Sequence, residues 1–221
     1  MRQTISLVTI ISLLAMGSYV IFEPEAVKSA AVSDAILVTQ AVSQEISITS
    51  PSDVTMSSSI PGITGNAGAP RTGSATWTVK TNNATGFTLG MAASDTPAMQ
   101  LDATWTFTDY TEATSTVPDY TWSSPAASAA EFGFTVEAAT AADTIAKYLD
   151  NGTDLCNTGS SQTTDKCWYS ASTTAETVIN RSTNTASTGE AEVIKFQTES
   201  NAKYLKEGSY IAYITVTATE N

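Results

Sequence analysis

The sequence predicts an all-β protein: a single antiparallel β-sandwich, Ig-like or jelly-roll-like, with a short helix and disulfide loop insertion, preceded by an N-terminal apolar helix. Three observations carry that expectation. From Val42 onward, apolar residues recur at every second position, the period that gathers them on one face of a strand. The stretches between are rich in Ser, Thr, Pro, Gly and Asn, which favour turns. The chain of 221 residues is 42% hydrophobic and 8% aromatic, ample for a packed core.

After Met1 and Arg2, residues 4–22 carry no charge, which gives the basic and apolar regions of an export signal. Small residues at Ser29 and Ala31 suit a signal-peptidase site and place the mature start near Val32. An apolar run of this length also spans a bilayer, so a retained anchor or the buried helix of a pilin-like filament stays open. No convincing prepilin motif precedes the run. Residues 1–31 are therefore a signal peptide or an N-terminal membrane or filament helix, and 32–221 form the β domain. All of these readings put the body outside the cytoplasm.

The strands follow in order. Val42, Ile46 and Ile48 share a face, as do Val54, Met56 and Ile60. Ala75, Trp77 and Val79 alternate into Asn82–Gly86, and Phe87, Leu89 and Met91 alternate out, which predicts a β-hairpin closed by residues that tolerate positive φ. Met99, Leu101, Ala103, Trp105 and Phe107 predict one strand. Phe132, Phe134 and Val136 predict another, Ile194 and Phe196 a third, and Tyr210, Ala212, Ile214 and Val216 the last. Only 141–152 has a helical pattern, with Asp143 as N-cap, Ile145 and Leu149 on one side, and Gly152 as the stop. That makes eight or nine strands, without an internal repeat or a linker long enough to divide the domain.

The chain has two cysteines, Cys156 and Cys167, and no histidine. Zinc would lack ligands, and a redox pair would favour a C-x-x-C spacing. In an exported chain the two are expected to form a disulfide, which contributes roughly 2–3 kcal/mol by closing so short a loop. Trp168 is expected to pack on the bridge or on the core beneath it.

Composition narrows function by exclusion. A formal charge of −12 disfavours phosphate backbones and anionic lipid, so no nucleic-acid partner is expected, and membrane contact only through the N-terminal stretch. Without histidine, the usual Ser and Cys triads are ruled out, and no enzyme activity is expected. Asp102, Asp109, Glu112 and Asp119 lie among Trp105, Tyr110, Tyr120 and Trp122, a mixture that suits sugars but also decorates any half-buried strand. Tyr120 and Trp122, between two prolines, are the better candidates for glycan contact, while Trp77 and Trp105 are expected in the core. Asp150, Asn151 and Asp154 surround Gly152 as a weak calcium candidate that lacks the acidic twelfth ligand of an EF-hand. No other cofactor is expected.

Three stretches, "SPSDVTMSSSIPGITG", "WTVKTNNATGFTL" and "DNGTDLCNTGSSQTTDKCW", resemble small exported, mostly hypothetical β-sandwich surface proteins of candidate-phylum bacteria, from about residue 45 to the end. The resemblance implies an export leader and a β-rich body at the cell surface, and it carries no catalytic or binding residue. A looser likeness to Ig-like adhesin and pilin domains lies in architecture alone.

The resulting expectation is an exported structural or interaction protein, a subunit of a cell-surface fibre, pilus or surface layer. Alternatives are a module for cell-wall or environmental glycans, and a membrane-anchored extracellular domain that does not assemble. The partner expected first is the protein itself. Residues 32–44, with Ile36, Leu37 and Val38 in a row, are expected to be extended and to contact an adjacent subunit.

Overall fold

The computed structural model describes residues 32–159 and 161–221. The apolar stretch of residues 4–22, its helix and its cleavage point lie outside the described residues. The chain divides into a unit ending at Val42 and a unit running from Ser43 to Asn221. In the first, residues 32–42 form no strand or helix, and all are exposed.

The second unit is all-β, built on two sheets. Its strands, among the described residues, are β1 (Ile46–Thr49), β2 (Arg71–Thr81), β3 (Phe87–Ala93), β4 (Thr108–Asp109), β5 (Ala129–Ala138), β6 (Tyr169–Ser170), β7 (Glu176–Arg181), β8 (Glu190–Asn201) and β9 (Ile214–Glu220). A six-stranded sheet runs β1-β2-β8-β5-β4, with β6 also on β5, and a three-stranded sheet runs β7-β3-β9. Pairing is antiparallel except between β4 and β5.

One apolar core takes side chains from both sheets: Val79 on β2, Phe132 and Phe134 on β5 and Ile194 on β8 meet Phe87 and Leu89 on β3 and Ile179 on β7. All but Ile179 follow the period-two pattern. The opposite face of the larger sheet carries a second layer. Tyr110 stacks on Trp122 at 4.4 Å, and Trp122 meets Trp168 edge-on at 5.6 Å. Gly133 on β5 makes room for it, since a Cβ there would stand 2.8 Å from Tyr110 Cβ and 3.0 Å from Trp122 Cζ3.

Several expectations change. The hairpin around Asn82–Gly86 is a crossing between sheets, because β2 pairs with β1 and β8 while β3 pairs with β7 and β9. Asn83 holds the corner. Its Nδ2 donates to the carbonyls of Gly86 and Asn221, and its Oδ1 accepts from Thr85 and Gln44. Residues 99–107 reverse on themselves instead of forming one strand: the Leu101 N–H donates to the Trp105 carbonyl, and Asp102 caps the amides of Thr104 and Trp105. Met99 and Phe107 thus reach the core from opposite arms, and Trp105 is only half-buried, beside Tyr204 at 5.7 Å.

The 54–60 segment forms no strand, although Val54, Met56 and Ile60 still pack on the core. Val42 lies outside β1 and is exposed. The helix over 141–152 is replaced by two short 3-10 turns, Ala141–Asp143 and Ala146–Tyr148. Tertiary partners outweigh propensity there. The Ile145 N–H donates to the Val178 carbonyl, Thr144 donates to Gln162, and Asp143 pairs with Arg181 at 2.6 Å instead of capping. Among the described residues, no helix is long and apolar enough to cross a membrane.

Candidate functional site

A groove of about 1380 Å³ opens between the two sheets. Ala75 and Trp77 on β2, Phe132 on β5 and Phe196 on β8 form its floor, joined by Met99 and Phe107. Its walls are two segments without regular structure, one before β2 (50–63) and one running into β9 (204–213). Phe107 meets Tyr210 edge-on at 5.3 Å and so ties the second wall to the floor.

The groove follows from the unequal sheets. Three strands cannot cover six, and among the described residues β9 ends the smaller sheet with one edge in no β-ladder, β1 lying near part of it. Along β9, Ile214, Val216 and Ala218 point toward the core yet stay half-exposed, whereas Leu89 and Met91 beside them on β3 are buried. The rim is apolar too: Ile63, Tyr204, Ile211 and Tyr213 are exposed at 71%, 66%, 49% and 65%. Lys203 beside the groove donates to the Thr106 carbonyl, and burial holds its ammonium pKa below the ordinary lysine value. An apolar floor bordered by a free strand edge can take an extended segment, by main-chain pairing plus side-chain burial.

The residues singled out from sequence lie elsewhere. Trp122 is half-buried, with one face on Tyr110 and its indole N–H donated to Glu199 Oε2 at 2.7 Å. The ring of Tyr120 is covered by the Lys166 ammonium, 4.5 Å from its centroid. Neither forms an open aromatic platform for a sugar.

Asp150 is buried and serves its own loop, accepting from Gly152, Thr163 N–H and Thr163 Oγ1. Asn151 Oδ1 accepts from the amides of Thr153, Asp154 and Leu155, and its Nδ2 donates to Asp154. These oxygens are taken up as turn caps, and among the described residues no Asp, Glu, Cys or His cluster has metal-binding geometry. Asp102, Asp109, Glu112 and Asp119 likewise each accept a backbone N–H. Cys156 and Cys167 are bonded, with Cα atoms 5.7 Å apart, and Trp168 beside them is buried with its Nε1–H on the Asp165 carbonyl.

One feature of the site and one at the end of the core escape a reading that counts only alternating apolar residues. In "YIAYITV", Ile211 and Tyr213 are apolar out of phase with Tyr210, Ala212 and Ile214, the mark of a segment with both faces apolar. Glu192 lies in phase with Ile194 and Phe196, and it is accordingly buried at the end of the core. Burial first, then the negative charges of Asp143 and Glu190, push its carboxyl up to about 7. No family model, curated protein or solved structure matches this chain.

Proposed function

We propose that this protein is an exported structural subunit of a cell-surface fibre, pilus or surface layer, its body a β-sandwich left incomplete on one side. The observation that carries this reading is the groove: an apolar floor and rim open beside the unpaired edge of β9. Exposed apolar surface gathered in one patch marks a protein interaction site, and a free strand edge is a template for association. The bonded Cys156–Cys167 pair suits an oxidising compartment.

Negative-stain microscopy of the secreted full chain tests the reading. Ordered filaments or lattices are expected. Dispersed monomers at every concentration would overturn it and leave a surface-anchored domain that does not assemble.

A further inference from the structure

We infer that the groove is an acceptor site for residues 35–42 of a second copy of this chain, which adds an extended strand along the free edge of β9. The inference rests on the subunit reading and names the partner that reading requires. Apart from Leu155, the large apolar side chains that stand exposed among the described residues fall into two sets. One is the groove rim: Ile63, Tyr204, Ile211 and Tyr213. The other is the segment itself, with Val32, Ile36, Leu37, Val38 and Val42 exposed at 93%, 84%, 92%, 82% and 83%. An apolar groove and an exposed apolar segment thus occur in the same chain, and a second copy supplies one to the other.

The segment has the chemistry of an added strand. Residues 32–49 contain no proline or glycine, so every residue of 35–42 offers a backbone N–H to a ladder. Between Lys28 and Glu45 its one charge is Asp34, which lets it approach a body of net charge −12 without adding much to the repulsion. As a strand it would span about 27 Å, at roughly 3.4 Å per residue, enough to run along β9 from its Ile214 end, where the groove opens.

Alternation then sets the faces. Ile36, Val38 and Val42 turn onto Trp77 and Phe196, while Leu37, Thr39 and Ala41 turn outward beside Thr215, Thr217 and Thr219, which are exposed. Donor and acceptor are different surfaces, so the contact is head-to-tail and propagates instead of closing on a pair.

The test mixes full chains carrying Thr39→Cys with full chains carrying Thr217→Cys under mild oxidation. Leu37→Cys and Ala41→Cys in place of the first cover the neighbouring registers, and Thr174→Cys in place of the second serves as an exposed control that does not line the groove. The expected result is a disulfide between copies at one of the donor positions, at least ten-fold above the control. It should be lost when Ile36→Asp and Val38→Asp are combined in the donor, with the thermal melt unchanged. Filaments without that cross-link at any donor position would overturn the groove as acceptor and leave the subunit reading standing. Neither filaments nor cross-link would overturn both. A cross-link confined to single chains carrying both cysteines would show that the groove is filled by its own chain, and would overturn the exchange between copies.

Discussion

Three side chains show how burial sets the cost of a change. Trp77 is buried on the floor of the groove. Trp77→Ala is expected to cost about 3–5 kcal/mol, read as a lower midpoint in chemical denaturation; an unchanged midpoint would mean that the ring contributes no core packing. Trp122→Phe keeps the stacking on Tyr110 but removes the indole N–H from Glu199, which is fully buried and has its other oxygen on the Gly68 amide. Leaving that oxygen unpartnered is expected to cost about 1–3 kcal/mol.

Glu192 acts through pH. Its carboxyl is raised from the ordinary 4.5 to about 7, so the folded state holds the proton more tightly than the unfolded chain does. That contribution is fully present below about pH 4.5 and is lost as pH rises through about 7, on the order of 3 kcal/mol in all. Melts of Glu192→Gln should therefore decline less between pH 5 and 8 than those of the parent chain. Parallel curves would remove Glu192 as the cause.

At the scale of elements, two connections hold the fold in register. The corner between β2 and β3 depends on Gly86, whose φ is +81° and whose Cβ, if present, would stand 2.1 Å from the Arg181 carbonyl oxygen. Gly86→Ala is expected to cost roughly 1–3 kcal/mol in backbone strain alone, with displacement of β7 in addition. The loop closed by Cys156 and Cys167 carries Asp165, whose carbonyl holds the Trp168 indole. Replacing both cysteines with alanine should cost about 2–3 kcal/mol and loosen the Trp122–Trp168 layer. Alkylation of the untreated protein under denaturing conditions should label no thiol.

The strand interiors around these connections are legible in the amino-acid sequence, because Phe132, Phe134, Ile194 and Phe196 alternate without interruption. The connections are not. Asn82–Gly86 has the residues of a tight hairpin turn, and only the hydrogen bonds from Asn83 to Gly86 and to Asn221, far along the chain, turn it into a corner. In 99–107 the alternation is as regular as in β5, yet the Asp102 carboxylate folds it back.

For the whole molecule, the balance lies between a charge of −12 on every copy and the apolar surface of groove and segment. Raising ionic strength from about 0.01 M to about 0.15 M shortens the screening length from roughly 30 Å to 8 Å. Assembly is therefore expected to start at a several-fold lower protein concentration in salt, measured by sedimentation. Deleting residues 32–44 should abolish assembly and leave the melt of the remaining chain where it was. If the deletion unfolds the domain instead, the segment belongs to that domain's own core.

By itself, the sequence determined the all-β class, the alternating strands β1, β2, β3, β5, β8 and β9, and the pairing of its two cysteines. Each of these rests on local periodicity that the tertiary pairings happen to agree with, or on a choice with one outcome. Only the tertiary structure decided which strands share a sheet, that 141–152 forms two short 3-10 turns, and that Trp122 is spent on internal packing. The groove belongs to that second group. It arises because six strands face three, and the number of strands in each sheet is settled by pairings between residues far apart in the chain, which no local pattern encodes.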